Sequence, residues 1–440
     1  MKNSINLLQE LNSKLDPMTI DIISRTTDVI TRERKVTAIN FIKAFCLITF
    51  YNVCSLRIIA TTLGTIANVT ISKQALSKRI TPEFVNFFRE VLFSLITKLS
   101  TFKKEAEKGV FSVFNRVLLQ DSTNISLPKR LAKFYPGSQN QSKKPTATLK
   151  IQATYDAKSE NFVTFLLSPF TRNDQKASAD ILAFLQPMDL VLRDLGYFSL
   201  NVLSKIVNKG AFFISRYRYG TTIYDEHGNK IDLLKYLSKY GQLDQTLLIG
   251  AEEKLKCRLV AIPIPREVAD ERRRKLRNSR DKRLNPSKEQ LALLGWEIFI
   301  TNVPSVVWKT KTVANVYGIR WRIETIFKAW KSHFNFTVVT IGCRYQVESL
   351  IYAKLIWVTL FQVFFGQLYE YVLKNSGKHL SMLKVAQYMQ THFWAIIIAF
   401  SFKQDINEIL EQIIAHCCYE KRKKRIHYQE IMASLMDYGS

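Results

Sequence analysis

At about residue 111 the chain changes its hydrophobic period, and no other feature constrains its fold as much. Before that point apolar residues recur at helical spacing; after it they run together or alternate, as strands do. FSVFNRVLLQ (111–120) reads as a buried strand with Asp121 at its C-terminal tip. TATLKIQATYD, at about 145–155, and NFVTFLLSPF (161–170) alternate as two further strands, with Asp156, Ala157, Lys158 and Ser159 as the hairpin turn between them. A helix over 174–185, a short strand ending at Asp194, a helix over 199–208 and a fifth strand, AFFISRYRY from Ala211, complete the block.

Helical patterns flank it. Residues 1 to about 100 read as helices, and SLRIIATTLGTIANVTISKQALSKRIT (55–81) has the layout of a helix-turn-helix with Gly64 near its break. The second of those helices exposes Ser72, Lys73, Gln74, Ser77, Lys78 and Arg79, side chains that reach base edges and phosphates from the major groove. An ordinary helical hairpin with a polar face is the alternative. Gln and Arg alternating with small residues favour the groove. Pro82 opens the next helix, towards Ser100. Past residue 345 the pattern is helical to the end, with a basic run, KRKKR, at 421–425.

A chain of 440 residues exceeds the usual size of one domain, and its 47% hydrophobic content suits a large core rather than a disordered polymer. The net charge of +27 attracts polyanions and repels itself when none is near, which points to nucleic acid or an anionic membrane surface. The stretch LIYAKLIWVTLFQVFFGQLY (350–369) is long enough to span a bilayer. Lys354, Gln362 and Gln367 interrupt it, so we read it as a buried helix and expect no membrane. The opening MKNSINLLQELNSK lacks the apolar run of a signal peptide. Six cysteines without a CxxC pair read as reduced thiols of a cytoplasmic protein. A zinc site at His416, Cys417 and Cys418 is disfavoured, because adjacent residues point to different sides of a helix.

Residues 317–331, YGIRWRIETIFKAWK, carry the strongest functional lead. Read as one helix at about 100° per residue, Tyr317, Arg320, Glu324, Lys328 and Lys331 share a stripe, while Ile319, Ile323, Ile326 and Trp330 share another. The apolar stripe docks on a core. The polar one is either a solvated face with ion pairs at i,i+4, Arg320 to Glu324 and Glu324 to Lys328, or a site. The spacing Tyr, two residues, Arg, three residues, Glu, six residues, Lys resembles the Tyr-Arg-Glu-Lys signature of bacterial insertion-sequence transposases of the IS-four type, a branch of the DDE recombinases. QDST around Asp121 and RDLGYFS around Asp194 resemble the first and second catalytic blocks of that family, and GWEIFITNVP (295–304) resembles the strand before the signature.

The resemblance implies an α/β chain: a ribonuclease-H-like core with a mixed five-stranded sheet, a β-rich insertion and helical terminal regions. The order strand, strand, strand, helix, strand, helix, strand agrees with such a core, and it would set Asp121 and Asp194 on neighbouring strands. The 130 residues from Asp194 to Glu324 exceed a direct connection and imply an insertion of mostly short strands. The expected plan is 1–105 for DNA binding, 106–220 with 309–345 for catalysis, 221–308 for the insertion and 346–440 for dimerisation. Within the insertion, ERRRKLRNSRDKRL (271–284) is a flexible loop or helix end that would neutralise phosphates on a DNA substrate, and YDEHGNK (224–230) is a hairpin turn.

The implied activity is metal-dependent cleavage of transposon-end DNA followed by transfer of the freed 3′-hydroxyl into target DNA. Asp121, Asp194 and Glu324 would be the catalytic carboxylates, holding two Mg²⁺ ions (or Mn²⁺) about 4 Å apart, with Asp121 bridging. Arg320 and Lys331 would grip phosphates, Tyr317 would hydrogen-bond a phosphate oxygen, and Lys328 would add a weaker contact. Trp296 is either the aromatic on which a flipped base stacks or a sheet-packing residue. Arg216 or Arg218 would contact the DNA end, and Lys73, Gln74, Lys78 and Arg79 the duplex. The partners implied are double-stranded DNA and, in the synaptic complex, a second copy of the chain, in the bacterial cytoplasm at the nucleoid. A ribonuclease-H-like nuclease or resolvase without strand transfer, or a non-catalytic helix-turn-helix regulator, are the alternative readings.

Overall fold

The computed structural model describes residues 15–30, 35–51, 54–100, 109–138, 145–278, 285–340, 342–393, 407–420 and 428–436. Its strands are β1 Val117–Leu127, β2 Ala147–Asp156, β3 Asn161–Pro169, β4 Leu190–Arg193, β5 Phe212–Arg216, β6 Ile223–Tyr224, β7 Leu243–Ile249, β8 Leu255–Pro263 and β9 Trp296–Thr301. They form one nine-stranded sheet in the order β3-β2-β1-β4-β5-β9-β8-β7-β6. The expected α/β class with helical flanks is present; the expected five strands are corrected to nine. The reason lies at β5, which is not an edge. β9 pairs antiparallel with it, Ile214 opposite Thr301 and Arg216 opposite Phe299. Strands β8, β7 and β6 then follow outward as antiparallel neighbours. Ile214, Leu259 and Ile300 are wholly buried along these pairings, an arrangement that an open β5 edge would leave wet.

Two compact units divide the chain: residues 1–104, 122–172 and 323–425, and residues 105–121, 173–322 and 426–440. In the first, the helices Leu56–Ala67 and Lys73–Arg79 form the anticipated pair, but Gly64 lies inside the first helix and the break falls at Asn68, which is left-handed. Gly64 is needed all the same. A Cβ there would stand 2.6 Å from the Val69 carbonyl oxygen, where the chain doubles back. Ser72 caps the second helix, accepting from the Ala75 amide at 3.1 Å. The helix Pro82–Ser100 starts where the proline indicates. Arg344–Ser376 is a 33-residue helix, the one described helix long and apolar enough to cross a membrane, and 72% of its most apolar window is buried inside the protein. Lys354 on it donates to the carbonyls of Asn335 and Val338 at 2.6 and 3.0 Å, and burial pulls its ammonium down to about 8.

The structure departs from expectation at four places. β1 does not end at Asp121 but runs to Leu127; the parallel pairing with β4 does stop there, at Gln120 opposite Arg193. The segment 174–185 is a single α turn, Asp174–Ala177, followed by a 3₁₀ stretch, Ser178–Ala183. Arg193 binds the Ser178 carbonyl at 3.1 Å and Ser178 Oγ donates to the Tyr197 carbonyl at 2.8 Å, so that backbone is drawn out of α geometry. The inserted region carries the helices Leu233–Tyr240, Arg266–Arg277 and Lys288–Leu293 besides its strands, so the first part of the basic run is helical, while 279–284, like the run at 421–425, lies outside the described residues. Residues 317–331 are not one helix: Thr310–Gly318 ends, Ile319 and Arg320 turn, and Trp321–His333 begins.

Candidate active site

Parallel pairing of β1 with β4 fixes the first two candidates. Asp121 and Asp194 each follow the last register pair, Gln120 and Arg193, so they stand at the same level of adjacent strands. Ligand sites form at such carboxyl ends of parallel strands. The Asp194 side chain is 50% exposed and that of Asp121 is 18%. Between them comes Arg320, whose side chain is 7% exposed: Nη1 is 3.7 Å from Asp121 Oδ2 and Nη2 is 3.9 Å from Asp194 Oδ1. The turn after Gly318 delivers it, with Ile319 fully buried as the anchor and the Arg320 amide donating to the Tyr317 carbonyl at 3.2 Å.

Tyr317 lies beneath this group. Its ring centroid is 5.9 Å from the Arg320 guanidinium carbon and 5.5 Å from that of Arg216, and its hydroxyl donates to the Arg193 carbonyl at 3.3 Å. The residue is buried, and its hydroxyl ties the signature to the strand that bears Asp194. Burial raises the phenol above its ordinary range, and the cations Arg320 and Arg216 partly offset that. Arg193 itself is buried, bonded through Nη1 to Ser178 Oγ at 2.6 Å, and burial lowers its guanidinium to about 10.

The remaining candidates are spread more widely. Trp296 opens β9 opposite Pro263, and its indole N–H donates to the Gly241 carbonyl at 2.8 Å. Glu324 occupies the first turn of Trp321–His333, half-buried, with Lys328 and Lys331 exposed further along that helix. Lys73, Gln74 and Lys78 are exposed as expected of a contact face, whereas Arg79 is half-buried with its guanidinium 5.9 Å from the Phe41 ring. Among the described residues no three His, Cys, Asp or Glu side chains are grouped to hold one ion. The pair Asp121 and Asp194 is what the second unit assembles. Its donors suit a divalent cation: hard carboxylate oxygens, already gathered about a positive group.

One residue beside the site escaped the sequence reading. Trp321 is 62% exposed, with the Arg320 guanidinium 5.7 Å from its ring, in a chain that keeps Trp308 and Trp330 at 1%. The available signal was its absence from the apolar stripe of Ile319, Ile323, Ile326 and Trp330. An exposed indole beside a buried guanidinium is a surface on which a flat ligand can stack.

Residues 113–360 match the family model described as the transposase DDE domain. The chain belongs to the DDE transposases. Among its relatives are the transposase of insertion element IS231F from Bacillus thuringiensis subsp. israelensis, 26% identical over 98% of this chain and 96% of that one. The transposase of IS231D from Bacillus thuringiensis subsp. finitimus is 28% identical over 89% and 86%, and that of IS1151 from Clostridium perfringens 25% over 86% and 84%. As a DDE transposase the chain is an enzyme of DNA transposition, DNA is its partner, and its chemistry depends on a divalent metal.

Proposed function

We propose that this transposase cleaves the DNA at the ends of its own insertion element and joins the freed 3′-hydroxyls to target DNA, using two Mg²⁺ ions for which Mn²⁺ can substitute. The observation that supports this most directly is the single guanidinium of Arg320 facing both Asp121 and Asp194 at the ends of paired parallel strands. Asp121, Asp194 and Glu324 are the residues that would hold the metal, which when bound supplies an activated oxygen nucleophile and a stabilised leaving oxygen. Arg320 offsets the repulsion of two nearby carboxylates and keeps them directed at one point. Tyr317 locks the signature against the Asp194 strand. Lys328 and Lys331 contact phosphates; Trp296 and Arg216 meet the DNA end; Lys73, Gln74, Lys78 and Arg79 contact the duplex. The region 346–440 joins two copies in the synaptic complex, in the bacterial cytoplasm.

Cleavage of a duplex carrying the flanking element's end, with Mg²⁺ present or chelated, tests this reading. Asp121→Asn and Glu324→Gln are expected to cut at least about a thousandfold more slowly than the intact chain while binding the duplex as well. Equal cutting by either variant would remove that residue from the site. Pre-cleaved ends separate transposition from simple nuclease action, because only strand transfer inserts them into a plasmid.

A further inference from the structure

The residue after Trp296 joins two cations that the mechanism above leaves unconnected. Antiparallel pairing sets Arg216 opposite Phe299. Side chains two apart share a strand face, so Glu297 projects beside Phe299 on the side of the sheet where Arg216 lies. That side faces Tyr317, whose ring is 5.2 Å from the Phe299 ring. Glu297 Oε1 accepts from Arg272 Nη2 at 2.7 Å and lies 3.8 Å from Arg216 Nη2. Arg272 comes from the helix Arg266–Arg277, whose Asp270 and Glu271 are engaged with Arg273 and Lys275. Two guanidinium groups therefore converge on one carboxylate, with an excess positive charge. All three side chains reach solvent, at 45% for Arg216, 30% for Arg272 and 27% for Glu297.

We propose that Arg216 and Arg272 form a subsite for a backbone phosphate of the bound DNA, and that Glu297 holds its place until a phosphate displaces it. A carboxylate and a phosphodiester accept the same planar fork of donors. Ion pairs as exposed as these contribute little, so exchanging the carboxylate for a phosphate meets slight resistance. Until DNA arrives, Glu297 keeps both forks on the Tyr317 side of the sheet and holds off other anions. The inference rests on the reading of this chain as acting at DNA ends.

The test is equilibrium binding of the full chain to an end-bearing duplex across a salt series, followed by fluorescence anisotropy. Glu297→Gln is expected to tighten binding about two- to fivefold at fixed salt. Arg272→Gln should weaken binding and lower the slope of log affinity against log salt by about 0.9, the share of one phosphate. In the double variant the gain from Glu297→Gln should shrink. Glu226→Gln, whose side chain is 84% exposed on the 224–230 turn, removes one charge elsewhere and should leave affinity unchanged. No tightening by Glu297→Gln, or equal tightening by Glu226→Gln, overturns the subsite. Should Glu297→Gln fail to fold, the Arg272→Gln slope decides alone, and an unchanged slope overturns it. An intact chain that cuts ends while Glu297→Gln binds no tighter sinks this inference only; an intact chain that never cuts sinks the functional reading and leaves the binding series interpretable.

Discussion

Two buried arginines in the same unit meet aspartates in opposite ways. Arg258 on β8 closes on Asp244 of β7: Nη2 donates at 2.6 Å, Nε bonds the other carboxylate oxygen, and Nη1 donates to the Trp308 and Val303 carbonyls at 2.7 and 3.3 Å. Thr310, the first residue of the helix leading to the signature, donates to the same carboxylate. Arg320 meets Asp121 and Asp194 at 3.7 and 3.9 Å, outside hydrogen-bond distance, and Asp194 is half open to water. The closed pair staples strands β7 and β8 to the segment before Thr310. The open trio instead sets one positive group before two carboxylates at ion-pair distances, with Arg320 not drawn fully onto either aspartate as Arg258 is onto Asp244.

Removing each arginine should separate the two roles. Arg258→Met leaves a half-buried carboxylate and two carbonyls without their hydrogen-bond donor and is expected to destabilise the chain by about 2–3 kcal/mol in denaturant unfolding. Arg320→Met breaks ion pairs of 3.7 and 3.9 Å to its aspartates rather than short hydrogen bonds and should cost less, about 1 kcal/mol, while end cleavage falls by a hundredfold or more. Equal destabilisation by the two would erase the distinction.

Acid sharpens the same contrast. Burial alone would raise the Asp244 carboxyl, but the hydrogen bonds from Arg258 and Thr310 outweigh it and hold the group below its ordinary value. A folded-state pKa below the unfolded one adds stability that is complete above the unfolded value, about 3.9, and is lost as pH falls through the lower folded value. Melting temperatures of the intact chain should therefore decline more steeply below about pH 4 than those of Asp244→Asn. Parallel curves would show that the closed pair does not titrate with folding.

Much of this arrangement is legible in the sequence because it is local. The runs ending in Gln120 and Arg193 are short, apolar and followed directly by Asp, so each strand and the carboxylate at its end are read together. What escapes is long-range or one residue wide. Nothing near Ile214 announces that Thr301 pairs with it, so the sheet is expected to stop at β5 and instead continues through β9. The turn at Ile319 and Arg320 hides because the apolar spacing of Ile319, Ile323, Ile326 and Trp330 suits an unbroken helix as well as a broken one. The 3₁₀ stretch from Ser178 depends on a side chain fifteen residues away, Arg193. Arg79 shows the limit of composition: counted with the other cations of its helix, it is half-buried with its guanidinium 5.9 Å from the Phe41 ring, a neighbour that no local pattern names.

The smallest effect is expected at Tyr317, where the open trio rests on the strand that carries Asp194. Tyr317→Phe removes the hydroxyl's hydrogen bonds, the 3.3 Å one to the Arg193 carbonyl and that with the Arg320 side chain, and keeps the ring between Arg216 and Arg320. Stability should change by about 0.5–1 kcal/mol, and cleavage should fall less than about tenfold. Tyr317→Leu also removes the aromatic face from both guanidinium groups and the ring packed on Phe299, so its loss of cleavage should exceed that of Phe and its stability should fall by about 1–2 kcal/mol more. The two variants together ask whether the ring or the hydroxyl positions Arg320: if Phe is as impaired as Leu, the hydroxyl's bonds are what matter, and the cation–π contacts are incidental packing.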